Sequence, residues 1–431
     1  MPPRQDYLPT FIDLFAGCGG LTLGLCAAGW QGFFGVELRH DAFLTYQANF
    51  LDGARHRLNW PKWLDKRPWD IAELLESSRR EIESLRGKVD LVCGGPPCQG
   101  FSFNGRRDPL DPRNSLYLHY IDFVNLVQPR TLLIENVPGF AVPHGQKARN
   151  ARQGRQKGRP RQSGSQKLRL ALEESYVMDD CLVHAADYGV PQIRDRYFAI
   201  GIRKDLQPNP RSAGWAQELV GQAKERILAR YHFGTEPNTA RHALCDLEIR
   251  DYQRNVVEYV RDTTCRTKGD FLQIRYSPPK SPNAYLRAMR SGVNGDPPNS
   301  LRLPRHSQTV EKRFQRILDH FPSGRRLNDE ERRRLGLKKH RIVRLEADAP
   351  AHTLTTLPDD LLHYSEPRIL TVREYARIQS FPDWFEFHGK YTTGGDRRTQ
   401  ECPRYTQVGN AVPPLIAEAW GVALAGLLET L

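Results

Sequence analysis

A chain of 431 residues, 39% of them hydrophobic and 26% charged, holds enough apolar material for one large core and a second, smaller one. No stretch approaches 18 consecutive apolar residues, and the start, MPPRQDYLPTFIDLF, lacks the charged-then-apolar build of a signal peptide. A membrane span is therefore excluded and a cytoplasmic location expected. The net charge of +13 points to a polyanionic partner, of which nucleic acid is the commonest.

Along the first 200 residues short apolar strands alternate with helical stretches. TFIDLFAG reads as a strand entering a glycine turn, LTLGLCAAGW as a helix ending near Gly29, FFGVE as a second strand and HDAFLTYQANF as a second helix. KVDLVCGG, RTLLIENV and RYFAIGI are further strands, with SLYLHYIDFVNLV a helix between them. This alternation predicts an α/β fold with a parallel, doubly wound sheet.

Between Glu135 and Glu173 there is no acid but there are nine Lys or Arg, Arg155 and Arg159 among them. The Gly- and Gln-rich part of this stretch, 144–167, reads as a basic loop with no core of its own. From 204 to about 350 the alternation is lost, which predicts a separate, irregular domain. A second basic run, Arg325 to Arg344, has nine Lys or Arg against Asp329, Glu330 and Glu331. The two runs exceed the net charge, so the remainder is close to neutral. The last residues, AVPPLIAEAWGVALAGLLETL, recover helical periodicity, with Pro414 in the first turn.

Two ends of the sheet carry chemistry. Gly17, Gly19 and Gly20 sit at a strand-to-helix turn, where backbone amides approach a ligand closely. Glu37 closes the next strand, 20 residues after Gly17, where an acid accepts from both ribose hydroxyls. An adenosine-containing ligand follows. The loop lacks the full GxGxxG pattern, which favours S-adenosylmethionine over a dinucleotide. Asp70 in PWDIAEL would lie at a third strand end and accept from an adenine amino group; the plainer reading is a helix N-cap.

The eight cysteines, at 18, 26, 93, 98, 181, 245, 265 and 402, show no CxxC spacing, so neither a metal site nor a disulfide framework is expected. Cys98, in GGPPCQGFS after the strand KVDLVCGG, is then either a packed thiol or a reactive one at the carboxyl edge of the sheet. Glu135 closes RTLLIENV on that edge, and Arg194 and Arg196 precede RYFAIGI with the two-residue spacing that puts both on one side of an extended chain. A thiol, an acid and paired guanidiniums beside an adenosine pocket suit a reaction at carbon-5 of cytosine. Thiolate addition to carbon-6, assisted by protonation of ring nitrogen-3, makes that carbon nucleophilic.

These stretches together resemble the DNA (cytosine-5) methyltransferase family, from residue 11 to about 200 and from about 342 to 420, in the family's order. FIDLFAGCGG is similar to its first motif, VE at 36 and 37 to the ribose motif, and Asp70-Ile71 to the adenine contact. GGPPCQGFS resembles the nucleophile motif, ENV at 135 to 137 the acid motif and QIRDRYFAIG the Gln-x-Arg-x-Arg motif. RILTVREYARIQSFPDWFEF is similar to the motif that scaffolds target recognition, and YTQVGNAVPP to the last motif.

The resemblance implies a Rossmann-like S-adenosylmethionine-dependent fold of seven strands with an inserted target-recognition domain. Residues 1–203 would bind cofactor and catalyse, 204–399 would carry target recognition (variable over about 204–348), and 400–431 would return to the catalytic domain. Cys98, Glu135, Arg194 and Arg196 would be catalytic. Phe15, Ala16, Gly17, Gly19, Gly20, Glu37, Asp70, Ile71, Pro97 and Asn410 would hold the cofactor. Gln99, Ser102, Arg155 and Arg159 would contact double-stranded DNA, whose target cytosine is flipped out.

A prokaryotic, nucleoid-associated monomer paired with a restriction endonuclease is the expected setting. Two alternatives stay open: a transfer-RNA cytosine-5 methyltransferase, although its Cys-Phe-Thr mark does not occur here, and a non-catalytic nucleic-acid-binding protein on the same fold.

Overall fold

The computed structural model describes residues 7–53, 55–97, 116–142, 162–207, 211–249, 271–293, 295–337, 341–392 and 400–431, together with the backbone of 256–260. Its centre is a six-stranded sheet. Four strands lie in the order β2 (Gln31–Val36), β1 (Thr10–Leu14), β3 (Leu91–Gly94), β4 (Thr131–Asn136), all parallel. Beyond β4 come β7 (Asp195–Arg203) and then β5 (Tyr176–His184) at the edge. A two-residue strand β6 (Gln192–Ile193) lies between these two in sequence and pairs elsewhere.

The sheet differs from the expected one in two ways. First, β7 runs antiparallel to both β4 and β5, so the sheet is mixed. The link from β5 to β7 is too short for a parallel crossover, which needs a dozen or more residues, so the chain turns back on itself. Second, no strand precedes Asp70. Residues 51–53 and 55–69 form turns and irregular chain, anchored where Trp69 N donates to the Glu37 carbonyl (2.9 Å) and Asn59 N to the Gly32 carbonyl (2.8 Å). Six strands, not seven, make up the sheet among the described residues.

Side chains alternate across the strands and both faces are buried, which explains the nearly continuous apolar runs. Phe11, Leu91, Leu133, Phe198 and Ile200 point to one face; Ile12, Leu14, Val92, Ile134 and Ala199 point to the other. The first face is covered by α1 (Gly20–Ala27), α7 (Trp215–Arg230) and the C-terminal α14 (Pro414–Leu428). The second carries α3 (Ile71–Ser77), α4 (Arg79–Glu83), α5 (Leu116–Val127) and α6 (Gly164–Leu172); α2 (His40–Phe50) joins the first core through Phe43 and Tyr46.

Gly24 makes the α1–α14 contact possible, since a Cβ there would lie 2.4 Å from the Ala417 Cβ. The stretch read as a basic loop to residue 167 is already helical from Gly164, capped by a reciprocal Ser163–Gln166 pair. Among the described residues no single helix is long and apolar enough to cross a membrane.

After the expected boundary at residue 203, α7 still packs on the sheet through Trp215, Val220 and Ile227, and Arg230 pairs with buried Glu418 of α14 (2.7 Å). The stretch expected to be irregular contains α8 (Ala240–Leu244), a hairpin of β8 (Val256–Val260) and β9 (Phe271–Ile274), α9 (Ala284–Met289), α10 (Gln308–His320) and α11 (Asp329–Arg334). Short strands β10 (Val343–Arg344), β11 (Ala351–His352) and β12 (Leu361–Leu362) follow. Two small cores serve this part, one around Leu247 and Leu301, the other around Phe314 and Ile342. Its sequence hid these helices because each buries few residues: α8 and α9 give theirs to the main core, α10 gives two to a small one, and α11 buries none.

The chain then enters α12 (Val372–Ile378), whose charged side chains are buried and paired. Arg377 forks to Asp383 (2.9 and 2.8 Å) and reaches Asp246 of the smaller part (3.1 Å). Arg373 donates to the carbonyls of Asn299, Pro382 and Phe385. Glu374 takes both ends of the Arg368 guanidinium (2.7 and 2.8 Å) and lies 3.7 Å from the His363 ring. Such ions hold only while all are satisfied. The helices α13 (Arg404–Asn410) and α14 complete the chain.

Burial, reinforced by Arg368, pushes the His363 imidazole down to about 3. The unfolded chain takes up that proton near pH 6.5, whereas the folded one stays neutral to about 3, so stability falls as pH drops through this window. The slope from this group is up to about 1.4 kcal/mol per pH unit. In denaturant titrations His363→Asn should lose less stability between pH 6.5 and 5 than the unchanged protein. That comparison isolates His363 from other buried groups such as Asp13, whose carboxyl burial pushes up to about 7. Equal losses would mean that His363 does not titrate as described.

Candidate functional site

The carboxyl ends of β1, β3 and β4 and the start of β7 meet at one edge of the sheet. Glu135 is the last but one residue of β4, opposite Phe198, and its side chain is 12% exposed. Its Oε1 lies 2.8 Å from Arg196 Nε. A Cβ on Gly95 would lie 3.1 Å from Glu135 Oε2, which places the carboxylate against the stem of the segment leading to Cys98. The next residue fixes that stem too, as Asn136 Nδ2 donates to the Pro96 carbonyl (3.1 Å). Burial pushes the Glu135 carboxyl above the ordinary glutamate range, against the opposing pull of the Arg196 and Arg194 guanidiniums. A carboxyl in that position can keep a proton to give away.

Cys98, Gln99, Ser102, Arg155 and Arg159 lie outside the described residues. The other cysteines still bear on Cys98. Burial pushes the thiols of Cys26, Cys181 and Cys402 up to about 12 and raises those of Cys18 and Cys93 as well, so none of these five is a thiolate at neutral pH. Among the described residues no group of three or more His, Cys, Asp or Glu could hold a metal ion.

The two arginines part company. Arg196 faces Glu135, but Arg194 is 1% exposed and donates to the carbonyls of Leu354 (3.2 Å), Gly409 (2.8 Å) and Ala411 (3.1 Å). The reading that put both on one side assumed a continuous strand. The chain breaks at Arg194: Gln192 and Ile193 pair with β11, whereas Asp195 onward pairs with β4 and β5. Arg194 therefore grips backbone, while its charge still acts on the Glu135 carboxyl.

The adenosine end is built from the turn after β1. Phe15 and Gly17 have positive φ (61° and 57°), and a Cβ at Gly17 would meet nothing within 4 Å, so the turn opens onto free space. Glu37 Oε2 accepts from Gly17 N (2.9 Å) and Oε1 from Arg39 N (2.6 Å). Each oxygen keeps a lone pair, the donor-free chemistry that two ribose hydroxyls require. Phe15 is half-buried beside the turn, and Ala16 is committed, its amide bonded to the Val36 carbonyl. Gly19 and Gly20 serve packing: a Cβ on either would come within 2.3 Å of Phe50 or of the Val412 carbonyl. Asp70 is the N-cap of α3, accepting from Ala72 N (2.8 Å), and Ile71 behind it is buried. Pro97 and Asn410 are exposed, Asn410 as the last residue of α13.

Three residues of this region lie inside stretches singled out in the sequence, but their roles could not be read there. Gln407 donates from Nε2 to the carbonyls of Asp41, His388 and Cys402, and its Oε1 accepts from Thr45. It thereby ties the last motif to the helix after Glu37. Gln192 and Gln379 join side chain to side chain (2.5 Å) behind Arg194. Contacts between residues almost 190 positions apart leave no local pattern to read.

Comparison with known proteins gives a consistent picture. The family model for C-5 cytosine-specific DNA methylase matches residues 9–425. Similar curated proteins include the type II methyltransferase M.DdeI of Desulfomicrobium norvegicum, 28% identical over 97% of this chain and 89% of its own length. Another is the type II methyltransferase M1.HphI of Haemophilus parahaemolyticus, 30% identical over 95% of this chain and 85% of its own. A crystal structure ascribed to a DNA modification methyltransferase encoded within an E. coli prophage superposes with a TM-score of 0.62. It covers 98% of this chain and 99% of that one at 24% identity, a likeness of fold.

Proposed function

From the premise that this chain belongs to the C-5 cytosine-specific DNA methylase family, we propose that it methylates a flipped-out cytosine through a covalent Cys98 adduct, with Glu135 as the acid. It is a DNA (cytosine-5-)-methyltransferase and its methyl donor is S-adenosylmethionine. The observation that carries the mechanistic reading is Glu135, buried, paired with Arg196 and pressed against Gly95 three residues before Cys98.

In this reading the Cys98 Sγ forms a bond to ring carbon-6 while Glu135 gives its proton to ring nitrogen-3, so the pyrimidine becomes enamine-like at carbon-5. Arg196 orients the Glu135 carboxyl through Oε1 and leaves Oε2 for the ring. The bound S-adenosylmethionine supplies an electrophilic methyl group at carbon-5. Return of the nitrogen-3 proton to Glu135, as the carbon-5 proton leaves to solvent, breaks the Sγ–carbon-6 bond and frees the thiolate. Reaching the ring atoms requires the base outside the stack, hence base flipping.

The cofactor fits Glu37, the open turn at Gly17 and the ring of Phe15, with Pro97 and Asn410 exposed. Removing the ribose acceptors by Glu37→Ala should weaken S-adenosylhomocysteine binding by about 100-fold or more, two hydrogen bonds to a charged group contributing about 1.5–3 kcal/mol each. Calorimetry measures it directly, and unchanged affinity would move the ribose elsewhere.

The type II names of the relatives support a role as the modification partner of a restriction endonuclease, with a short recognition sequence. Bisulfite sequencing of DNA treated with the enzyme and S-adenosylmethionine tests the whole reading. One sequence context should become fully protected at a single cytosine; random or absent protection would overturn it.

A further inference from the structure

We propose that Arg194 is a positioning residue for the cofactor: by gripping the Gly409 and Ala411 carbonyls it sets the backbone that presents Asn410, and it ties that turn to the strand bearing Arg196. The inference rests on the cofactor reading above and adds the part that holds its far wall in place.

The turn between α13 and α14 is confined from several sides. Arg194 Nη2 donates to the Gly409 carbonyl (2.8 Å) and the Ala411 carbonyl (3.1 Å), one residue either side of Asn410. Gln379 Nε2 reaches the Ala411 carbonyl from another side (2.5 Å), and its Oε1 is held by Gln192 (2.5 Å). Gln192 Oε1 in turn accepts from Leu354 N (2.9 Å), whose own carbonyl accepts from Arg194 Nη1 (3.2 Å). Beneath, Gly409 packs so tightly that a Cβ would come 2.3 Å from the Thr355 carbonyl. Ahead, the Val412 carbonyl lies against Gly20, where the helix after the cofactor turn begins.

The consequence is geometric. Helix ends leave carbonyls without partners, and a buried carbonyl without a donor is costly. Here the donors are one planar guanidinium, directly before β7 of the catalytic edge, and one amide, at the end of α12. A guanidinium can serve two carbonyls at fixed spacing, whereas a lysine ammonium is a point donor on a flexible stem. The backbone on either side of Asn410 is thus referenced to β6 and β7, the same strands that aim Arg196 at Glu135. Loosening the clasp would displace the Asn410 turn relative to Glu37 while leaving the Glu135–Arg196 pair in place.

The test compares the unchanged enzyme with Arg194→Lys and with Gln379→Met, which weakens the clasp from its other arm should the first variant fail to fold. Calorimetric S-adenosylhomocysteine binding and steady-state kinetics on duplex DNA are measured for each, with Glu37→Ala as the cofactor control. The clasp predicts about a ten-fold rise in the dissociation constant and in KM for S-adenosylmethionine, equivalent to about 1.4 kcal/mol. It also predicts kcat at saturating cofactor within about three-fold, and unaltered DNA affinity. A folded variant with unchanged cofactor affinity overturns it, as does a loss confined to kcat, which would return Arg194 to the chemistry. If Glu37→Ala loses cofactor while neither clasp variant does, only the clasp is wrong. If the unchanged enzyme does not bind S-adenosylhomocysteine, the cofactor reading itself falls.

Discussion

Glu135→Gln should slow methyl transfer by on the order of 10²- to 10⁴-fold, the usual contribution of a positioned general acid, while duplex binding stays within a few-fold. The amide keeps the shape of the carboxyl and can still face Arg196 and Gly95, but it has no proton to give to ring nitrogen-3. Because burial raises the Glu135 carboxyl above the ordinary glutamate range, the acid form persists to higher pH than in a solvated glutamate. The rate should therefore fall as pH rises through that raised value, and the Gln variant should lack this limb. Its cost to stability must be checked by melting, since removing one member of a buried pair leaves the Arg196 guanidinium without its anion. Single-turnover transfer from labelled S-adenosylmethionine across pH gives both numbers. A variant with the parent rate and the parent profile would remove Glu135 from the chemistry.

The second large effect is expected at Cys98. Serine is nearly isosteric, but its hydroxyl is far too weakly acidic to supply an anion at neutral pH, so addition to carbon-6 should fail. Cys98→Ser should reduce methyl transfer by on the order of 10⁴-fold or more, the scale seen when a nucleophile is removed from an otherwise intact site. Duplex and cofactor affinity should survive, because neither depends on the covalent step. Retention of more than about a tenth of the activity would exclude the thiolate route. The elevated thiols of Cys18, Cys26, Cys93, Cys181 and Cys402 make substitution by any of those five sulfurs an unavailable explanation for residual turnover.

Much of the catalytic edge was legible in the sequence because it is written locally. A strand ending in a functional residue needs an apolar run and a break, and TFIDL with its glycines, FFGV with Glu37 and TLLIEN with Glu135 all supply both. Strand direction was not legible. Nothing in YFAIGI distinguishes a parallel from an antiparallel partner, and the deciding fact is the short return from β5, a strand whose central acids Asp179 and Asp180 hid it. Asp70 shows the converse. It was read as an adenine contact at a strand end or, more plainly, as a helix N-cap; the described residues have no strand there, and one carboxylate oxygen caps α3 through the amide of Ala72.

The smaller part was least visible, since helices such as α10 bury only Phe314 and Ile317 fully. The burial of the α12 ions had no local mark, since their partners, Asp246 from 131 positions away among them, come from distant parts of the chain. Arg194 carries the same lesson at the site itself. Two-residue spacing predicts a shared face only while the strand continues, and here it breaks at the first of the two arginines.

The central claim is a covalent bond between this chain and its substrate. A duplex carrying 5-fluorocytosine at the methylated position cannot lose fluorine as a proton is lost, so the adduct should accumulate. Mass spectrometry after incubation with S-adenosylmethionine should find one equivalent of DNA attached to the peptide containing Cys98, and none in Cys98→Ser. An enzyme that binds this duplex and methylates the ordinary one, yet forms no adduct or forms it at another residue, would contradict the account.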